Sequence, residues 1–441
     1  RLDYPGRTSN RLMTTKTGNA PCPANRLLAA LPGVMNDPAW LSQLRGAGRA
    51  RFAKLGFPTT RDEDWRFTSV APITELNFMG APTDANAQLD DCPFGDLEGP
   101  RLVFVNGHYS RELSVAADLP NGVKVGNVAG ALAQNDGELK MHMAHRDTDA
   151  FASLNSACFT DGAFINVPEG MVVETPIRIY HLNAAGDGAT ANIRSLIVVG
   201  SNSKATIIES WTGSDAAYFN NAITELIAGD NAQVEHIKFQ DESTSAFHVG
   251  GLHMRMGRDS RASHHSIALG GRVARNNIRA HLDGPGLETV LNGLYLPHGD
   301  QLIDHHMVVD HALPNGTSHE YFNGILDDQA RGVFHGRIHV HKGADKTDAR
   351  QTNKNLLLSG DATVDTKPQL EIYADDVKCT HGATVGQMNP EQIFYLRARG
   401  LSEESARRMI MHAFAGEIIE RIACEPVREE LDRLIHSRLE E

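Results

Sequence analysis

Between about Ala163 and Gly386 the chain repeats itself. The units Gly200-Ser201-Asn202-Ser203-Lys204-Ala205, Gly229-Asp230-Asn231-Ala232-Gln233-Val234 and Gly257-Arg258-Asp259-Ser260-Arg261-Ala262 each set a polar turn before a β-rich run, with steps of 29 and then 28 residues between their glycines. Asp283-Gly284 comes next, and Gly360-Asp361-Ala362-Thr363-Val364 reads as a late copy. No helical period lasts anywhere in this stretch. A short strand cannot bury its apolar face alone, but a strand recurring at a fixed period covers the face of the one before it. The pattern predicts a stacked solenoid, most economically a parallel β-helix; periodicity alone leaves a sandwich open.

Helical patterning flanks this region. From Asn25 to Gly56, Asp37 and Pro38 offer an N-cap and a first-turn residue, and Trp40, Leu41, Leu44, Phe52 and Leu55 recur at helical intervals before Pro58 stops them. After Pro390, Ser402 caps a helix carrying Ala406, Met409, Ile410, Ala413, Phe414, Glu417, Ile418 and Ile422, and Pro426 opens another through Leu431, Leu434 and Leu439. This pair is expected to cap the last rung. The chain thus reads as mainly β with helical ends: 1–24 disordered, 25–99 an N-terminal helical region, 100–388 the β-helix core and 389–441 a C-terminal helical domain.

Composition narrows the function. Across 441 residues, 42 Lys and Arg stand against 55 Asp and Glu, and the net charge of −13 disfavours a nucleic-acid surface. No apolar run is long enough for a membrane span. Five scattered cysteines (Cys22, Cys92, Cys158, Cys379 and Cys424), odd in number and without a C-x-x-C pair, suit a reducing cytoplasmic compartment and give neither a disulfide framework nor a zinc ribbon. Arg1 to Ala20 loosely resembles an organelle transit segment, and a disordered terminus is the plainer account.

The most informative chemistry lies in Asp376-Val377-Lys378-Cys379-Thr380-His381-Gly382-Ala383-Thr384-Val385-Gly386. On one strand, Cys379 and His381 share a face, about 7 Å apart at Cα. A thiolate and an imidazole so placed suit one soft metal centre, with the neighbouring Lys378 favouring the thiolate. Two ligands complete neither a tetrahedral zinc site nor an iron–sulfur cluster, so the rest must come from another chain.

Other motifs are weaker. Fourteen of the 21 histidines fall between His236 and His341; His339-Val340-His341, with His305, His306 and His311, resembles a cupin metal strand but lacks its downstream Glu. A cupin-like metalloenzyme is therefore one alternative. A β-helix carbohydrate-active enzyme is another, recruiting Asp304, Asp310, Asp327 or Asp328 with Tyr295, Tyr321 and Phe322 as stacking platforms. Gly343-Ala344-Asp345-Lys346-Thr347 ends like a P-loop without its glycines, and Gly284-Pro285-Gly286 lacks the third glycine of a dinucleotide fingerprint.

The Cys379 segment, the run Glu391-Gln392-Ile393-Phe394-Tyr395-Leu396-Arg397-Ala398-Arg399-Gly400 and the run Pro58-Thr59-Thr60-Arg61-Asp62-Glu63-Asp64-Trp65-Arg66-Phe67-Thr68 together resemble the SufB/SufD family, the non-ATPase scaffold subunits of the SUF iron–sulfur cluster assembly system. The resemblance runs from about residue 25 to the C-terminus, and Gly382 and Gly386 favour its SufD branch, since the SufB branch usually has Glu after the His. It implies a right-handed parallel β-helix core and a non-catalytic scaffold. It also implies pairing with a SufB-like paralogue, recruitment of a SufC-like ABC ATPase through the C-terminal helices (Phe414 and Ile418 as contacts), and a transient iron or iron–sulfur cluster shared across the paralogue interface at Cys379 and His381. A homodimer remains open.

Overall fold

The computed structural model describes residues 22–31, 37–83, 87–89, 92–144, 147 and 149–440. The N-terminal segment read as disordered lies outside them up to residue 21; a helix, Pro23–Ala30, begins just after it.

Strands alternate between two ten-stranded sheets, and the result is a parallel β-solenoid of about eight turns. In one sheet the order runs down to Leu302–His311, Arg331–Val340 and Thr363–Ile372; in the other it runs down to Thr317–Leu326, Asp348–Leu357 and Lys378–Gln387. Side chains of alternate residues point into the lumen, so like positions stack from coil to coil. One such column is Ile197, Leu226, Met254, Ala280, Val309, Ile338 and Leu370. All but the last are buried with it in a single apolar core, and Leu370 packs against that core from the terminal coil.

The repeating turn forms one corner of each coil. Asn202, Asn231, Asp259, Gly286, Asn315 and Lys346 occupy its left-handed position, at φ between 55° and 71°. Short polar side chains and glycine tolerate that conformation best. Each of these residues donates its N–H to a carbonyl of the following coil: Asn202 to Asp230 at 2.9 Å, Asn231 to Arg258 at 2.8 Å and Asp259 to Pro285 at 3.0 Å. The glycine beside the turn is a packing requirement. A Cβ on Gly229 would lie 2.7 Å from the Ser201 nitrogen, and one on Gly284 would lie 2.2 Å from that of Arg258. The unit at Gly360 belongs elsewhere. Its strand, Thr363–Ile372, pairs with Arg331–Val340 of the other sheet, so Gly360 sits at the opposite corner, above Asp328.

Helices flank the solenoid and leave its end bare. The N-terminal stretch forms two helices, Pro23–Ala30 and Ala39–Leu55, and Asp37 caps neither; its carboxylate takes the Arg45 Nε at 2.6 Å. A helix that the sequence pattern did not reveal, Ala150–Cys158, is buried along its whole length, because it is sandwiched between the Ala39–Leu55 helix and the sheet. The C-terminal helices Glu403–Ile419 and Glu425–Arg438 do not cap the last rung. Ile418, Ile419, Ile422, Val427, Leu431 and Ile435 instead cover Ile208, Ile237, Phe239, Ile267, Leu294 and Ile325 on the outer face of the second sheet. That flank carries a ready apolar stripe, whereas the last coil exposes mainly polar side chains.

Gly284→Ala is expected to cost about 2 kcal/mol or more, within the range for overpacking a closed site. Gly360→Ala, with open space at its Cβ, should stay within about 0.5 kcal/mol of the parent. Urea unfolding of both variants checks this; equal midpoints would contradict the stacked corner.

Candidate functional site

The solenoid stops at the strand Lys378–Gln387, which is hydrogen-bonded to Asp348–Leu357 on one side only. Register places Cys379 on Ala349, His381 on Gln351 and Ala383 on Asn353. Those three partners point into the lumen and are buried, so Cys379 and His381 face the same way on the last coil, where no further coil among the described residues covers them. Cys379 is half-buried against the end of the apolar core, and His381 is exposed. The pair expected from the i, i+2 spacing therefore shares one face at an open end.

Their surroundings differ from expectation in one respect. Burial is the main influence on the Cys379 thiol and raises it above the ordinary value of 9.0, with the Asp348 carboxylate adding to the rise and a hydrogen bond with the Ala349 backbone opposing it. Lys378 does not offset this. Burial therefore keeps the thiol protonated at neutral pH. Beneath His381, Gln351 Nε2 donates to Glu320 Oε2 at 2.5 Å, and burial lifts the Glu320 carboxyl to about 7 against that bond. Sequence patterning gave no sign of this pair, since a Glu on a strand ordinarily reads as solvent-facing.

Among the described residues, neither cluster of three or more metal-type donors includes Cys379 or His381. The two thus form an incomplete donor set at an unpaired strand edge. The companion edge, Thr363–Ile372, carries Pro368, which offers no N–H and blunts it; Lys378–Gln387 has no proline. Around this end lie Ile372 at 39% exposure, Val385 at 48%, Tyr395 at 56%, Tyr373 at 63% and Phe394 at 74%. The helix Pro390–Ala398, which carries Phe394 and Tyr395, buries none of its residues. An unpaired strand edge flanked by exposed apolar side chains is a binding surface or an aggregation hazard.

The remaining sequence candidates fall differently. Phe414 is half-buried, its carbonyl accepting from Asn323 Nδ2 at 2.8 Å. Ile418 is 1% exposed and packs on the solenoid flank, so it serves the core and not a partner. The carbohydrate reading loses its parts: Tyr295 and Phe322 are buried, Asp304 is fully buried against Arg275 at 2.6 Å, and Tyr321 lies under the Arg421 guanidinium. Lys346 and Thr347 cradle nothing, for Lys346 turns its ammonium to Asp376 and the Thr347 hydroxyl donates to the Ala344 carbonyl. His311 is buried and bonded to Ser318, apart from His339 and His341.

Two pH responses follow. Alkylation of Cys379, read by peptide mass spectrometry, should be slow at pH 7 and rise about tenfold per pH unit to beyond pH 9; a plateau below pH 8 would contradict the buried thiol. For Glu320, the unfolded chain releases the proton near 4.5 while the folded chain holds it to about 7. Its contribution is therefore full below pH 4.5 and is lost as pH rises to about 7, roughly 3 kcal/mol in all. Glu320→Gln should flatten that part of the stability profile; a profile identical to the parent's would refute the assignment.

Comparison with known proteins supplies the family. Residues 180–414 match the model of the SUF system FeS cluster assembly SufBD core domain, and residues 34–179 match that of the SufBD protein N-terminal region. An iron–sulfur cluster assembly SufBD family protein of Synechocystis is 32% identical over 423 residues, 93% of each chain. The iron–sulfur cluster assembly protein SufD of Escherichia coli is 34% identical over 390 residues, covering 88% of this chain and 90% of that one. SufD of Bacillus subtilis is 27% identical over 425 residues, 91% and 95%. No helix among the described residues is long and apolar enough to cross a membrane. With two family models matched over residues 34–414 and relatives 32% and 34% identical over most of both chains, the chain belongs to the SufBD family of iron–sulfur cluster assembly proteins.

Proposed function

We propose that this chain is a non-catalytic SufD-type scaffold subunit that completes a cluster-building site only when a SufB-like paralogue docks on its open end. The observation that carries this reading is the strand Lys378–Gln387, which holds two donors, Cys379 and His381, on an edge lacking a neighbour. Pairing of strand edges would satisfy the free backbone groups, and the exposed Val385, Phe394 and Tyr395 supply apolar area. The paralogue would bring the missing ligands, so that the nascent iron–sulfur cluster, as cargo, is held by both chains. His381 would then offer an imidazole nitrogen, and Cys379 a thiolate formed as iron binds and the proton leaves.

A SufC-like ABC ATPase would dock on the outward side of the C-terminal helices. Ile418 is spent on packing, so the surface proposed is the groove lined by Arg408, Met409, His412, His436 and Leu439, with Met409 half-exposed. In this reading ATP hydrolysis belongs to that partner. A second copy of this chain on the Lys378–Gln387 edge is the competing occupant, and the subunit stoichiometry of the co-expressed complex below separates the two.

The chain is co-expressed with SufB-like and SufC-like partners, and the purified complex is reconstituted anaerobically with iron and sulfide. Cys379→Ala with His381→Ala should leave the complex intact but remove its cluster absorbance; an undiminished cluster would move the ligands elsewhere. Val385→Glu should abolish pairing with the paralogue while leaving the unfolding midpoint unchanged, and retained pairing would sink the edge assignment. Met409→Glu should lose the ATPase from the complex. Deleting everything after Gly400 is a poorer test, because it would uncover the apolar flank that Ile418 and Leu431 protect.

A further inference from the structure

On the outer face of the first sheet, three successive coils bring imidazoles around one carboxylate. Asp310 is in register with His281 on one side and His339 on the other. His341 comes directly after the end of the strand that carries His339, before the turn. His341 Nε2 lies 2.6 Å and His339 Nδ1 3.3 Å from Asp310 Oδ1, while His281 Nδ1 lies 3.4 Å from the other oxygen, Oδ2. The donor atoms of Asp310, His339 and His341 all fall within 4.8 Å of one another. The group is accessible, with side-chain exposures of 24% for Asp310, 30% for His339 and 43% for His341.

We infer that Asp310, His339 and His341 form a binding site for a borderline first-row divalent cation, zinc(II) or iron(II), separate from Cys379 and His381. Two imidazoles and one carboxylate converging from one side suit these ions and leave positions for water. His281 is a positioning residue: its contact with Oδ2 orients the carboxylate from outside, as outer partners of metal ligands commonly do. The ion pairs of Asp310 among the described residues are all with imidazoles, and Arg337, two residues before His339 on the same strand, pairs with Glu371 at 3.8 Å. A second cluster, Asp64, His306 and His335, is less suited to a cation. Arg275, Arg279 and Arg337 all act on His306 there, and a further positive charge would be repelled.

Because the ligands come from adjacent coils, the ion would pin the coils near the open end together. A ligand that binds only the folded chain raises its stability. The pattern H-x-H was visible in the sequence; Asp310 and His281, 29 and 58 residues before His339, were not, since only coil stacking joins them.

The test uses the full chain carrying Cys379→Ser and His381→Ala, which silences the other donor pair and makes the result independent of the scaffold reading. Zinc chloride is titrated in competition with a chromogenic chelator. One equivalent of zinc should bind, raising the thermal midpoint, and Asp310→Asn and His341→Ala should each weaken it more than about tenfold, with His281→Gln weakening it by about tenfold. Cobalt(II) should give weak visible bands without a thiolate charge-transfer band, and lose them in His341→Ala. Failure of the parent to bind zinc, a smaller change in Asp310→Asn and His341→Ala, or loss of binding on Asp64→Asn instead would each overturn the site.

Discussion

Everything in this molecule depends on coil-to-coil hydrogen bonding between parallel strands. Each strand borrows half of its backbone partners from the coil before and lends the other half to the coil after. The corner turns obey the same logic, with Asn202, Asn231 and Asp259 each tied to the next coil. Such a ladder has no internal reason to end. Where it does, at Lys378–Gln387, a row of backbone groups is left over, and the terminal lumen-facing residues meet water. The candidate site is that leftover edge, and Cys379 and His381 are its chemistry.

The lumen shows how an inward-facing ionisable group fares when coils cover it. Deep inside, ionisable groups are tolerated because they are closed on one another: His248 Nδ1 lies 2.7 Å from Glu242 Oε2, Lys238 Nζ 2.8 Å from His248 Nε2, and His236 Nε2 3.1 Å from Glu209 Oε2. Burial still lowers the Lys238 ammonium to about 8. Such groups are committed to their neighbours, since a lone buried charge is costly. His381 occupies the same kind of inward position, yet with no coil above it its imidazole is uncommitted to a lumen network.

Legibility varied with the range of the interaction concerned. The repeat, the strand carrying Cys379 and His381 and the Ser402 cap, whose side chain accepts from the Ser405 N–H, rest on residues close in sequence and could be read directly. The Ala150–Cys158 helix could not, because its all-round burial erases amphipathic contrast. The packing role of Ile418 is illegible in sequence for a related reason: an apolar stripe on a helix looks the same whether it meets its own chain or another. The late repeat at Gly360 was real as a turn, but which corner it belongs to depends on counting two strands per coil.

By itself the sequence determined the period, the identity of the turn residues and the pairing of two donors on one strand face, because φ preference and the two-residue alternation of a strand act locally. Only the tertiary structure decided that this strand is the last one, that the C-terminal helices lie along the flank and leave the end uncovered, and that Asp310 gathers histidines from three coils. Those outcomes turn on stacking register, which joins residues about thirty positions apart and is set by how whole coils settle on one another.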